Sequence, residues 1–210
     1  MAEQAELKCY QRFREIDRIA LENTAKVLEA FRKNRVSEAC FAGTTGYGYD
    51  DLGRETLDRI YAEIMGTEAA LVRIGFVNGT HALTAALFAL AGPGQTLLSV
   101  TGTPYDTLQE AIGIRGSNFG SLKYYGIGYR QVELAEDGGP DYKAIVNACK
   151  TENTAAVLIQ RSRGYADRKA LSISEIEEIT KAVHSVRPNV FVMVDYCYGE
   201  FTDLQEPGAV

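Results

Sequence analysis

The sequence predicts an α/β fold: a mostly parallel sheet flanked by helices. Short strand-like segments at 69–76, 96–101, 129–134, 155–160 and 190–195 alternate with segments of helical periodicity. Several of them, such as AAVLIQ and VFVMVD, are almost continuously apolar. An antiparallel sheet with one wet face would instead alternate apolar and polar residues. Continuous runs belong to strands covered on both faces.

The elements follow in order. Residues 6–34 place Leu7, Phe13, Ile16, Ile19, Ala20, Leu28 and Phe31 at helical spacing, with Asn23-Thr24 as a candidate break. Residues 42–53, AGTTGYGYDDLG, form a loop dense in Gly, Tyr and Asp. A helix over 54–65 carries Leu57, Ile60, Tyr61 and Ile64 on one face. The segment AALVRIGF (69–76) is the first expected strand, and a helix opens at Gly79 and runs to about Leu90. After the second strand a helix begins near Tyr105, and after the third a helix spans 141–149 with Asp141 near its start. Ser174, with Glu177 three residues on, predicts a capping box that opens the next helix. The fifth strand follows Pro188.

Composition narrows the class. A chain of 210 residues with 46% hydrophobic and 24% charged residues reads as a soluble globular protein. Its net charge of −6 argues against a nucleic-acid partner, which needs a basic face. No apolar run approaches a membrane span, and the charged N-terminus lacks a signal-peptide core, so a cytoplasmic protein is expected. Cys9, Cys40, Cys149 and Cys197 are scattered and read as free thiols. His81 and His184 are too few for a histidine-based metal site, so no metal is expected. The tail FTDLQEPGAV leaves an apolar strand and turns at Pro207-Gly208, which reads as a chain ending inside a domain. The expected division is an N-terminal helical segment (1–40) and an incomplete domain (41–210).

Ligands of open α/β sheets sit beyond the carboxyl ends of the strands. After the first strand, Asn78-Gly79-Thr80-His81 opens a helix whose free N–H groups suit an anion. Many ordinary turns look the same, and this one matches neither the P-loop nor the dinucleotide fingerprint. After the second strand, Tyr105 either stacks on a flat ligand or is a boundary tyrosine. After the fourth, Gln160-Arg161-Ser162-Arg163 is either a carboxylate or phosphate clamp or a solvated basic loop. Asp195 ends the fifth strand, where a carboxylate needs a partner; a protonated ring nitrogen is one.

In this order the signals resemble fold type I pyridoxal-phosphate enzymes, whose large domain is aspartate-aminotransferase-like. More closely, the chain resembles the Cys/Met-metabolism branch and its methionine gamma-lyase-like members, also called aluminium-resistance proteins. The residues that carry this are GYGYDDLGRETLDRIYAEIMGTEAALV, NGTHAL, TGTPYDTL, IQRSRGY and MVDYCYGEF. The resemblance covers essentially the whole chain, most firmly from about Cys40, and accounts for roughly the first half of such a protein.

The resemblance implies a bound pyridoxal 5'-phosphate. Gly79 and Thr80, with His81 beside them, match the turn that holds its phosphate. Tyr105 matches the aromatic that stacks on its ring, and Asp195 the acid paired with the ring nitrogen. Tyr47 matches a tyrosine that reaches a neighbouring subunit's site, which implies a homo-oligomer, dimer or tetramer, in the complete protein. Tyr49 stands where much of the branch has a phosphate-binding arginine. The stretch 160–165 also lacks that branch's proline-containing turn. Tyr49, Arg161 and Arg163 are therefore the candidates for substrate contacts.

The Schiff-base lysine of such enzymes follows the strand after that of Asp195. Every lysine here precedes Asp195, so none is assigned as catalytic. The implied function is the N-terminal part of a lyase acting on sulfur amino acids, cystathionine- or methionine-lyase-like. There the lysine removes the α-proton, the ring stores the charge and a carbon–sulfur bond breaks. The alternatives are another fold type I reaction, transamination or aldol cleavage, or a non-catalytic truncated chain. The family's strand order, 3-2-4-5-6-7-1, leaves 3-2-4-5 contiguous here, truncated after the fifth strand, with 69–76 separated from its neighbours.

Overall fold

The computed structural model describes residues 1–47 and 51–210, which divide into two compact units. One comprises Met1–Ile74 and Glu200–Val210; the other is Gly75–Gly199.

The first unit begins with one uninterrupted helix, α1 (Ala2–Lys33). Asn23 does not break it. The side chain is buried, and its Nδ2 donates to the backbone oxygens of Phe201 at 3.0 Å and Asp203 at 2.9 Å. A residue with weak helix propensity is thus retained in mid-helix because it supplies two carbonyls with donors. A short 3₁₀ turn (Glu38–Phe41) leads to α2 (Leu52–Met65). Asp51 caps α2 by accepting from the Arg54 N–H at 2.9 Å, and Gly66 ends it at φ +68°, the left-handed region that favours glycine. Ala30, Ile60 and Ile64 form the small core of this unit.

The strand expected at 69–76 does not form. The Val72 N–H donates to Asp58 on α2 at 2.8 Å, Arg73 pairs with the same carboxylate at 2.7 Å, and the Thr67 hydroxyl donates to the Ala69 oxygen. Side chains take hydrogen bonds that a ladder would otherwise make, and no described strand pairs with this segment. Partial burial would raise the Asp58 pKa, but the Val72 N–H and the Arg73 guanidinium outweigh it and hold the carboxyl below its ordinary value. A depressed folded pKa stabilises above the unfolded carboxylate range, and the stabilisation is lost as pH falls through the folded pKa. The protection factor of the Val72 amide is therefore expected to fall on acidification below the ordinary carboxylate range. Asp58→Asn should abolish that acid dependence; an unchanged profile in the variant would assign it to another group.

The second unit holds a four-stranded parallel sheet: β1 (Thr96–Ser99), β2 (Gly128–Gln131), β3 (Thr154–Gln160) and β4 (Phe191–Asp195). The order is β2-β1-β3-β4, with Thr96 opposite Gly128 and Gln160 opposite Asp195. This is the contiguous order that the resemblance implies for its second to fifth strands. Four helices flank the sheet: α3 (Gly79–Leu90), α4 (Asp106–Ile112), α5 (Tyr142–Cys149) and α6 (Ile173–Val186).

Two cores explain the continuous apolar runs. Leu97, Ala156 and Leu158 pack with Leu87 of α3 and with Leu108 and Ile112 of α4. Their alternates Leu98, Val157 and Ile159 pack with Ile145 of α5 and with Ile176, Ile179 and Val183 of α6. Each fully buried Leu or Ile contributes about 1.5–3 kcal/mol.

The capping box of α6 lies two residues earlier than expected. Ser172 is the N-cap: its Oγ accepts from the Glu175 N–H at 3.2 Å, and the Glu175 carboxylate accepts from the Ser172 N–H at 2.8 Å. Ser172-x-x-Glu175 overlaps the expected Ser174-x-x-Glu177, and the core decides between them. With Ser172 as cap, Leu171 before it and Ile176 after it enter the same apolar cluster as a hydrophobic staple. Glu177 instead pairs with Lys181 one turn on.

Candidate active site

The carboxyl ends of β1, β3 and β4 and the start of α3 bring polar side chains together within the second unit. At α3, Asn78 caps the helix by accepting from the His81 N–H at 2.8 Å. The N–H groups of Gly79 and Thr80 have no intrahelical partner, as in any first turn, and lie at the positive end of the helix dipole. A Cβ at Gly79 would meet nothing within 4 Å, so the turn faces open space. The Thr80 Oγ1 lies 3.3 Å from the Tyr105 hydroxyl and 3.0 Å from the Thr107 Oγ1.

Tyr105 immediately precedes α4, and its N–H donates to the Gln160 Oε1 at 3.0 Å. Partial burial raises its phenol pKa. The Thr80 bond opposes that shift, and the negative charge of Asp195 reinforces it. The phenol therefore stays protonated near neutral pH, within the field of Asp195. Asp195 ends β4, is only 4% exposed, and accepts from the Cys197 N–H at 3.3 Å. Its backbone oxygen accepts from the Arg161 N–H at 2.8 Å.

Of the residues singled out in the sequence, Thr80 and Tyr105 touch through their hydroxyls, and Asp195 lies at the same carboxyl end of the sheet, opposite Gln160, whose side chain reaches Tyr105; Gly79 is at the open turn beside Thr80. His81 is exposed, its ring edge-on to Phe76 at 5.7 Å and its Nδ1 accepting from the Val77 N–H at 3.4 Å. Arg161 lies under the edge: it is 6% exposed, its Nε donates to the Leu171 oxygen at 3.1 Å and its Nη1 to the Gly199 oxygen at 2.8 Å. Its guanidinium also sits 5.9 Å from the centroid of the Tyr196 ring. Arg163 is exposed and lines an open depression with Glu136, Asp137, Asp167 and Lys169. Tyr47, in the first unit, is 88% exposed. Tyr49 lies outside the described residues.

The turn after Asp195 is tightly held. Tyr198 has φ +74°, a conformation costly for a residue with a side chain. A Cβ at Gly199 would lie 2.0 Å from the Arg161 Nη1, so only glycine fits there without a shift. Two contributors were not identified from the sequence. Thr107 lies in the first turn of a short helix and carries no periodic signal. Gln160 is visible only as a polar strand end, and its contact with Tyr105 spans 55 residues.

Comparison with known proteins adds the following. The sequence profile of the methionine gamma-lyase family matches residues 1–210. An uncharacterized protein of Bacillus subtilis, YnbB, is 48% identical over 195 residues, which is 92% of this chain and 46% of that protein. A crystal structure of a carbon-sulfur lyase involved in aluminium resistance from Clostridium novyi is 49% identical, with a TM-score of 0.93 over 98% of this chain and 49% of that one. A candidate cystathionine beta-lyase involved in aluminium resistance from Listeria monocytogenes is 48% identical, with a TM-score of 0.94 over 98% of this chain and 50% of that one. This chain spans about half the length of these relatives. A methionine gamma lyase from Micromonospora echinospora shares the fold at 20% identity, with a TM-score of 0.52 over 72% of this chain and 35% of that one. The fold is that of the fold type I large domain. Among the described residues no helix is long and apolar enough to cross a membrane.

Proposed function

This chain belongs to the methionine gamma-lyase family, and from that premise we propose that it is the cofactor-binding part of a pyridoxal-phosphate-dependent lyase that breaks the carbon–sulfur bond of a sulfur amino acid. The observation that carries the reading is the placement of Thr80, Tyr105 and the buried Asp195 at the carboxyl end of one sheet, tied through Gln160, beside the open helix start at Gly79.

The residues present fit the cofactor. The N–H groups of Gly79 and Thr80 and the Thr80 hydroxyl suit its phosphate. The Tyr105 ring, tied at its N–H and its hydroxyl, suits one face of a flat ring. Asp195, nearly excluded from water, suits a ring nitrogen held protonated by its charge. When bound, the group supplies an electron-withdrawing ring that stabilises negative charge on the substrate α-carbon. Asp195 holds a proton at the ring nitrogen, and Tyr105 fixes the ring plane and covers one face from water. Arg163 is free of the structural bonds that occupy Arg161 and is the better candidate for a substrate carboxylate. Tyr47 and Tyr49 are proposed to act in a homo-oligomer of the complete protein, at a neighbouring subunit's site.

The test uses the full-length protein with pyridoxal phosphate and, separately, L-cystathionine, L-cysteine and L-methionine. Release of an oxo acid, ammonia and the sulfur product, a thiol from cystathionine or methionine or hydrogen sulfide from cysteine, from at least one substrate is the expected result. Cofactor binding without release of thiol or sulfide, or amino-group transfer with the carbon–sulfur bond intact, would overturn it in favour of another fold type I reaction.

A further inference from the structure

We propose that Gln160 is a positioning residue that sets the spacing between the Tyr105 ring and the Asp195 carboxylate. The proposal rests on the cofactor reading above and adds a residue to it. Gln160 is the last residue of β3 and the register partner of Asp195, so its backbone is locked beside the acid. Its side chain crosses to the loop after β1, where Oε1 accepts from the Tyr105 N–H at 3.0 Å.

Every other polar group of Gln160 is also committed. Nε2 donates to the Ser162 oxygen at 3.1 Å, and the backbone N–H donates to the Thr101 Oγ1 at 3.0 Å. The backbone oxygen accepts from the Arg168 Nη2 at 2.9 Å. The residue is 5% exposed. One side chain therefore joins the strand end paired with Asp195 to the loop that carries Tyr105.

A carboxamide suits this task. It is uncharged, so it can sit beside Asp195 without repelling the carboxylate. It offers an acceptor to Tyr105 and a donor to Ser162 at the same time, which fixes its rotamer. An apolar side chain of the same length would fill the space but leave the Tyr105 N–H without its acceptor. Tyr105 would then lose its tie to Gln160 and keep its hydroxyl contacts and packing. The platform and the acid are thus spaced before any ligand arrives.

The experiment compares full-length wild type with Gln160→Met, which keeps the length of the side chain and removes its acceptor and donor. Three quantities are read: the dissociation constant for pyridoxal phosphate, the visible circular dichroism of the bound cofactor, which reports ring tilt, and the melting temperature of the cofactor-free protein. Q160M is expected to weaken binding about tenfold and at least halve the dichroism, with a melting temperature within a few degrees of wild type. Wild-type binding and dichroism in Q160M would overturn the proposal. So would a loss in Q160M explained by a collapsed melting temperature. A measurement that needs no variant is amide exchange at Tyr105 in the cofactor-free wild type. Protection is expected, and exchange at the rate of an open loop would overturn the proposal. If wild type bound no pyridoxal phosphate, the cofactor reading itself would fail; binding with an unaffected Q160M defeats the Gln160 role alone.

Discussion

Asp195→Asn in the full-length protein is expected to leave pyridoxal phosphate binding largely intact and to lower carbon–sulfur cleavage by at least about 100-fold, roughly 2.7 kcal/mol in the barrier. The substitution is isosteric, and an amide Oδ1 can still accept from the Cys197 N–H that Asp195 now accepts from at 3.3 Å. What it removes is the charge. A carboxylate that is 4% exposed acts through little intervening water, so its effect on a ring nitrogen is large. An amide can hydrogen-bond the nitrogen but cannot hold it protonated by charge. Steady-state turnover and equilibrium binding, measured on the same preparations, separate the two effects. Near-normal turnover would show that Asp195 does not face the ring.

Arg161→Ala is expected to destabilise the protein by about 2–6 kcal/mol. It strips the guanidinium donors from the Leu171 and Gly199 oxygens, and an unsatisfied buried group costs about 1–3 kcal/mol each. It also removes the cation beside the Tyr196 ring. Arg161→Lys should recover only part of the loss, because a single ammonium lacks the fixed fork that reaches both oxygens. Denaturant unfolding provides the measurement. If Arg161 instead acted chiefly on substrate, stability would stay within about 0.5 kcal/mol of wild type and the Michaelis constant would rise.

The sequence alone was sufficient for the α/β class and for most of the elements of the second unit. β1 and β3 are buried by helices on both faces and β4 is partly covered on both, so apolar residues fill them and the signal is strong. The turn at Asn78-Gly79 was equally legible, because capping chemistry is local: donor and acceptor are three residues apart. The order of the motifs along the chain, together with the family resemblance, led to Thr80, Tyr105 and Asp195.

Tertiary structure decided what depends on distant partners. Residues 69–76 have strand composition, yet a strand is defined by a neighbour, and Asp58 on α2 takes the Val72 N–H instead. Two overlapping Ser-x-x-Glu patterns compete to start α6, and the choice fell to the one that puts Leu171 and Ile176 into the core. Asn23 looks like a helix break until the carbonyls of Phe201 and Asp203 are brought against it. Arg161 reads as a surface clamp in the sequence; the turn after Asp195 folds over it and converts its charge to a structural use. Gln160 shows in the sequence only as a polar strand end, since its partner at Tyr105 is 55 residues away. Local pattern reports which backbone groups and faces need covering. Only the folded chain determines which distant residue covers them, because that depends on where the sheet brings its strand ends.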